Sequence, residues 1–175
     1  GKKEFDLKKG ENKAIHFFWG LGYEDISAVT ATRDLLREGG ERLIERTKKY
    51  LDGVVRKAPD KNLTDTFNTN LIFSLFYSTG MTIDTEEFVS VTSRSPRYYV
   101  SAAYWDRDSL LWSLPAIAIA DGKKARNLIT YAFTTQMKNV GIHSRYIDGT
   151  VLEPGFELDE LCAPVIALDK YISLD

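Results

Sequence analysis

The residues best suited to chemistry form a charged and aromatic cluster at positions 104–109. They read Tyr104-Trp105-Asp106-Arg107-Asp108-Ser109. Such a set suits a carbohydrate, because aromatic rings stack on the apolar faces of a sugar while a guanidinium and a carboxylate form paired hydrogen bonds with its hydroxyls. The alternative is that an aspartate caps the helix that starts here and that the arginine is solvated. The residues alone leave both interpretations open.

A second cluster carries four acidic residues beside a glycine turn. It reads Glu153-Pro154-Gly155-Phe156-Glu157-Leu158-Asp159-Glu160. Glycosidic hydrolysis requires paired carboxylates, one to protonate the leaving oxygen and one to activate water or attack the anomeric carbon. Acidic residues at a helix start also fit the helix dipole without any catalytic role. In the preceding loop, His143 is a candidate for binding a hydroxyl or for a structural role.

The composition argues against several other kinds of site. The 175 residues include one cysteine and two distant histidines, so we expect no metal site and no cofactor. The formal net charge of -2 provides no field to attract nucleic acid. The pair Arg94 and Arg97, beside Tyr98 and Tyr99, lacks a wider basic surface. The apolar run 110–120 is too short to span a membrane, and the chain shows no signal peptide, so we predict a cytoplasmic location.

The elements that must position these clusters are predicted to be mainly helices. Apolar residues recur at three-to-four spacing over positions 24–55, where Gly39-Gly40 divides the run into two helices. Asp60 or Asn62 is a candidate cap for a helix at 63–78, which Thr79-Gly80 would end through a left-handed glycine. Further helices are predicted at 107–120, 123–138 and 158–172.

One β element is predicted before these helices. Residues 5–22 read FDLKKGENKAIHFFWGLG, in which a basic turn separates two β-rich pieces, so a strand or hairpin is expected there. Nothing else before Thr79 has the pattern of a partner strand. Because a two-stranded unit is barely stable alone, this strand has no evident sheet to join.

The connections between helices alternate in length. A short turn joins 107–120 to 123–138 as an antiparallel hairpin, whereas long polar loops cover 82–103 and 139–156. This alternation is typical of a helical barrel with one working face. The long loops lead into the helices that start at 107 and 158, so we expect the two clusters to lie side by side on a shared rim.

With these residues identified, the sequence resembles the six-hairpin (α/α)6 glycosidases, particularly the glucoamylase-like and glycogen-debranching (amylo-α-1,6-glucosidase) group. YWDRDSLLW, residues 104–112, is similar to the aromatic-x-Arg-Asp motif that opens the group's second barrel helix. A glycine-rich loop with YIDG, residues 146–149, follows. GFELDELCAPVIALDKY, residues 155–171, is similar to the acidic start of the group's fourth helix.

The resemblance implies a mainly α fold of antiparallel helical hairpins, forming part of an (α/α)6 toroid. It also implies cleavage of α-glucosidic bonds at the non-reducing ends of α-glucans, with inversion. In that group the Arg-Asp pair holds hydroxyls of the terminal sugar, an aromatic side chain supports the ring, and the acidic pair lines the same pocket. The substrate-binding residues implied here are Tyr104, Trp105, Arg107, Asp108, Glu157 and Asp159.

The group's general acid and base lie on later loops, so no catalytic residue is assigned within this chain. A twelve-helix toroid needs on the order of 350 residues. We therefore expect an internal piece of a larger enzyme, inactive alone. Residues 1–22 would end an N-terminal β-sandwich, 23–60 would form linker helices, and 61–175 would begin the toroid. Uncovered helix faces and an unpaired strand also predict self-association.

Two other classes of function stay open from the sequence. A helical protein-interaction module would bind no sugar and would show an apolar surface patch of several hundred Å². A noncatalytic glycan-binding domain would bind α-linked oligosaccharides without hydrolysing them.

Overall fold

The first two helices are separated by the predicted glycine pair. The computed structural model describes residues 4–91 and 103–174. In it α1 runs Asp25–Glu38 and α2 runs Gly40–Val54. Gly39 lies between them with φ of +84°, a conformation that glycine adopts without steric cost. The predicted division into two helices is confirmed.

The prediction of a strand or hairpin within residues 5–22 is wrong. This stretch contains no strand, and the sheets of the described residues lie elsewhere in the chain. A strand requires a hydrogen-bonded neighbour, and the β-rich composition alone supplies none. Part of the segment instead lies against α1. A Cβ at Gly20 would collide with Ala28, and one at Gly22 with Ser27, so glycine permits the close approach.

The third helix, α3, runs Lys61–Tyr77, and of the two candidate caps it is Asp60 that precedes it. The Asp60 carboxylate accepts a hydrogen bond from the Leu63 N–H at 2.8 Å. Buried Asn68 holds the preceding connector: its Oδ1 accepts from the Arg56 N–H at 2.8 Å, and its Nδ2 donates to the Arg56 carbonyl at 2.7 Å. The amide thereby satisfies backbone groups that no helix or sheet pairs.

A short hairpin follows α3, where the sequence predicts a glycine cap and a loop. Strand β1 (Thr79–Met81) pairs antiparallel with β2 (Phe88–Ser90), placing Gly80 opposite Val89. The left-handed cap is therefore wrong: Ser78 ends the helix with φ of -101°, and Gly80 belongs to the strand. Residues 94–99, the basic-aromatic segment for which the sequence shows no wider basic surface, lie outside the described residues.

The helical region from 107 to 139 changes hydrogen-bonding pattern along its length. A π-helix spans Arg107–Ser113 and passes into α4, Leu114–Ala120, at Pro115. Proline has no backbone N–H. The change from π-helical to α-helical hydrogen bonding at Pro115 therefore leaves no backbone N–H donor unpaired at that residue. Asp121 then caps α5, Gly122–Tyr131, by accepting from the Lys124 N–H at 3.1 Å.

Two short segments extend this second helix. A π-turn covers Ala132–Gln136 and a 3₁₀ turn covers Met137–Asn139. α4 and α5 pack against each other, as the predicted hairpin requires. The predicted end of the helix at 138 agrees with the structure to within one residue.

The predicted loop 139–156 is largely a β-hairpin. Strand β4 (Ile142–Tyr146) pairs antiparallel with β5 (Val151–Phe156), and β3 (Ala103–Tyr104) joins the other edge of β4. The Tyr146 N–H donates to the Thr150 carbonyl at 2.8 Å and thereby encloses a turn of three residues, 147–149. In this turn Gly149 has φ of +79°, and its N–H donates to the Tyr146 carbonyl at 2.9 Å. This is the three-residue hairpin connection that ends on a left-handed glycine.

The last helix, α6, runs Leu158–Ile172 as predicted and includes Pro164. Its buried face consists of Glu160, Ala163, Pro164 and Ala167, a helical spacing that directs one stripe inward. The two alanines pack with apolar side chains of α4, α5 and the π-helices. The core cluster they share is Leu110, Leu114, Ile117, Ala125, Leu128, Ile129 and Ala132.

The described residues thus form a mainly helical fold with small antiparallel sheets, as the sequence predicts at the level of fold class. The chain divides into two compact units, residues 1–50 and 51–175, with the boundary inside α2. Both residue clusters that the sequence identifies belong to the second unit. Within residues 4–91 and 103–174, no helix combines the length and apolar character needed to cross a bilayer.

Candidate functional site

The start of the 107–113 helix and the start of α6 lie together, and Arg107 joins them. Its Nη1 donates to Asp159 Oδ2 at 2.6 Å and to Glu157 Oε2 at 3.3 Å. Its Nε lies 3.5 Å from Asp108 Oδ2. The structure therefore brings four of the six predicted binding residues into one partly exposed group, here called the Arg107 cluster: Arg107, Asp108, Glu157 and Asp159.

A fully buried carboxylate supports the Arg107 cluster from behind. Glu160 Oε2 accepts the backbone N–H of Arg107 at 3.1 Å, and Oε1 lies 3.6 Å from Arg107 Nη2. Burial raises the pKa of Glu160 to about 7. One side chain from α6 thus satisfies a free donor at the start of the neighbouring helix. The sequence analysis counted Glu160 only as one of four acidic residues.

A second arginine–carboxylate pair lies in the interior next to the Arg107 cluster. Arg145 Nη2 donates to Asp106 Oδ2, and both side chains are almost completely excluded from solvent. Arg145 Nη1 donates to the carbonyls of Gln136, at 3.0 Å, and Asn139, at 3.1 Å. The pair links β4 to the residue that precedes Arg107. Asp106 and Asp108 are the two aspartates that the sequence offers as caps of this helix, and Asp106, which precedes it, makes no capping hydrogen bond with its side chain.

The two predicted sugar-stacking aromatics are both buried. Tyr104 is fully buried, its ring 6.1 Å from that of Tyr131 and 5.1 Å from Arg145 Cζ. Burial raises the pKa of Tyr104 well above its ordinary value. Trp105 is 6% exposed and meets the His143 ring edge-on at 5.9 Å. These rings support the site from within and present no face to a ligand.

Trp112 is an aromatic side chain that lies beside Arg107 on the surface of the site. It is 65% exposed, and Arg107 Cζ lies 5.6 Å from its ring centroid, in cation–π range. The sequence does not predict this position for Trp112, because α-helical spacing places residues five apart on different faces. In the π-helix of 107–113, hydrogen bonds join residues five apart and bring them to one side.

His143 extends the cluster onto the hairpin. Its Nδ1 lies 2.7 Å from Glu157 Oε1, and its Nε2 lies 3.5 Å from Glu153 Oε2. Ser144 Oγ also donates to Glu153 Oε2, at 3.3 Å. The sequence leaves open whether His143 binds a hydroxyl or has a structural role. The structure shows it in contact with Glu157, a residue of the Arg107 cluster.

The electrostatics of the Arg107 cluster differ between its carboxylates. The hydrogen bond from Arg107 lowers the pKa of Asp159. Burial raises the pKa of Asp108, and the charge of Arg107 partly offsets that effect. Beside the cluster an open hollow is lined by Glu157, Leu158, Asp159, Cys162 and Ile166. Within the described residues, no three histidine, cysteine or acidic side chains are grouped so as to hold a metal ion.

The sequence matches no family model, and no curated protein matches it significantly.

Proposed function

We propose that this chain supplies a sugar-binding subsite of a glycoside hydrolase that acts at the non-reducing ends of α-glucans with inversion. The Arg107 cluster carries the proposal, because one guanidinium there is held by carboxylates from two helix starts. Arg107 and Asp108 would bind hydroxyls of the terminal sugar, with Glu157 and Asp159 lining the same subsite. This is the arrangement expected from the resemblance to the glucoamylase-like and debranching group.

The chemistry of the cluster suits a polyhydroxyl ligand. A guanidinium donates, and carboxylates accept, so together they match the donor and acceptor capacity of neighbouring sugar hydroxyls. Trp112 offers an exposed ring beside the guanidinium, and apolar faces of a sugar stack on such a surface. Trp112 therefore replaces Tyr104 and Trp105 in the proposed contact with the sugar ring.

The charge of the cluster favours a neutral sugar. Three carboxylates, Asp108, Glu157 and Asp159, face one guanidinium, and Glu153 lies nearby through His143. An anionic sugar would meet like charges there, which disfavours its binding. Neutral α-glucans carry no such penalty. The general acid and base are assigned to no residue of this chain.

The test is calorimetric titration of the chain with maltotriose, repeated with Arg107→Ala. We expect binding by the native chain and at least tenfold weaker binding by the variant, because truncation leaves the carboxylates without their shared donor. Asp65→Asn is the matched control, since Asp65 is an exposed carboxylate paired to Lys61 at 2.5 Å on α3, away from the cluster. Equal affinity in the native chain and in Arg107→Ala would contradict the proposal.

The same titration addresses the two other classes. Binding of maltotriose without release of glucose by the full-length protein would favour a noncatalytic glycan-binding domain. No binding by the native chain would remove both sugar functions.

An observation in the first unit favours the protein-interaction module as the second candidate. Apolar side chains at alternate positions of one segment are largely exposed, namely Ile15, Phe17, Trp19, Leu21 and Tyr23. Trp19 is 85% exposed and Phe17 is 80% exposed. Contiguous exposed apolar side chains of this kind mark interaction surfaces. The test is chemical cross-linking of the chain to a protein partner. Cross-linking that is abolished by Trp19→Ser and unaffected by Arg107→Ala would favour this second function.

A further inference from the structure

His143 lies between two carboxylates and contacts both. Its Nδ1 is 2.7 Å from Glu157 Oε1, and its Nε2 is 3.5 Å from Glu153 Oε2. The other oxygen of Glu157, Oε2, accepts from Arg107 at 3.3 Å. Glu157 is thus held on one side by the hairpin and on the other by the 107–113 helix.

The orientation of the His143 ring is fixed by its surroundings. The ring meets buried Trp105 edge-on at an interplanar angle of 90°, and it lies on β4, the central strand of its sheet. The histidine side chain is about one third exposed, so one part of it faces solvent while the indole supports another. A ring held in this way keeps Nδ1 directed at Glu157.

The hydrogen-bond chemistry of these contacts depends on the charge of the ring. A carboxylate oxygen only accepts, so the short contact to Glu157 requires a proton on Nδ1. A neutral ring with that proton presents a lone pair to Glu153, whereas the imidazolium donates to both carboxylates. Charging the ring therefore strengthens the hold on both glutamates.

We propose that His143 is a positioning residue of the sugar subsite, fixing Glu157 so that its carboxylate meets a sugar hydroxyl in one orientation. This inference rests on the proposed function. The groups that bear on His143 are Glu153 from β5 and Glu157 from the start of α6, while Arg107 acts through Glu157. Sugar affinity is expected to be greater when His143 is charged, because both glutamates are then ordered before the ligand arrives.

The experiment compares maltotriose affinity in the native chain, His143→Leu and His143→Asn. Asparagine retains an N–H donor near the position of Nδ1 but does not titrate. We expect His143→Leu to bind about tenfold more weakly and His143→Asn to recover most of that loss. Thermal unfolding of each variant verifies that it is folded.

The pH profile separates positioning from a merely structural role. We expect native affinity to fall by about threefold as the pH rises and the ring loses its charge, because the ring then no longer donates to Glu153. His143→Asn is expected to lack that component. The buried Glu160, whose pKa is about 7, is present in both proteins, so its contribution cancels in the comparison.

The outcomes distinguish this inference from the proposed function. Native binding with equal affinity in His143→Leu overturns the positioning role and leaves the subsite intact. Parallel pH profiles for the native chain and His143→Asn also overturn it. A native chain that binds no maltotriose overturns the proposed function, and the positioning role is overturned with it.

Discussion

Asp106 and Arg107 are neighbours in the sequence, yet their ion pairs have opposite environments. The Asp106–Arg145 pair is excluded from solvent and tied to backbone carbonyls. The side chain of Arg107 is 28% exposed, and that of its partner Asp159 is 50% exposed. The same chemistry therefore has two consequences. A buried pair is costly to break, whereas a partly exposed one contributes little to stability and stays available to a ligand.

The largest effect is expected from breaking the interior pair. Asp106→Asn leaves Arg145 buried without a counter-charge, so we expect the free energy of unfolding to fall by about 3–5 kcal/mol. Urea denaturation measures this difference. The double variant Asp106→Leu/Arg145→Met removes both charges and is expected to recover most of the loss. A double variant as unstable as the single one would show that geometry, and not charge, sets the cost.

An intermediate effect, dependent on pH, is expected from Glu160. Its folded-state pKa of about 7 lies above the ordinary 4.5, so the folded protein binds this proton more tightly than the unfolded chain does. The stability it contributes is complete below about pH 4.5 and is lost as pH rises through 7. At pH 8 the buried charge costs about 3 kcal/mol.

Glu160→Gln removes that charge and keeps an oxygen to accept the Arg107 N–H. We expect equal stability of the two proteins near pH 5 and greater stability of the variant near pH 8. Chemical denaturation at both pH values tests this, with Asp65→Asn as an exposed-carboxylate control. Stability curves that stay parallel across the range would contradict the expected role of the buried carboxyl group.

The smallest effect on stability is expected from Arg107→Gln. Near pH 5.5, where Glu160 is largely protonated, we expect a loss of about 1 kcal/mol or less, because the guanidinium is partly exposed and screened by solvent. The same variant is expected to lose most of its maltotriose affinity. A loss as large as that of Asp106→Asn would show that the Arg107 cluster is structural.

The sequence predicts the helices of this fold well, because their ends carry local signals. Gly39 divides α1 from α2, Asp60 caps α3 and Asp121 caps α5. Each signal acts through the residue's own backbone or its nearest neighbours. The boundaries are therefore readable without knowledge of the tertiary structure.

The sheets escaped prediction because their strands are short and their partners are distant. β3 has two residues, too few to show alternation, and it pairs with β4 about forty positions later. The Asp148-Gly149 pair did carry a hairpin signal, since this dipeptide between apolar residues is typical of a tight turn. The glycines and the proline around it instead indicate a loop.

The site was predictable in outline and not in its supporting contacts. The meeting of the two helix starts follows from the alternation of connections and from the resemblance. The partner of Asp106 does not, because Arg145 lies far along the chain and no local pattern relates them. The position of Trp112 beside Arg107 depends on π-helical hydrogen bonding. Neither the α-helical nor the β-strand spacing of apolar residues predicts it.

The π-helical segment also determines how this chain should be aligned with others. A π-helix turns less per residue than an α-helix, so the segment between Arg107 and Leu114 holds about one more residue than an α-helix would need for the same rotation. A chain one residue shorter at this point could therefore form an ordinary α-helix and still direct the arginine at the α6 carboxylates. Its alignment with this chain would need a gap of one residue between the arginine and Leu114.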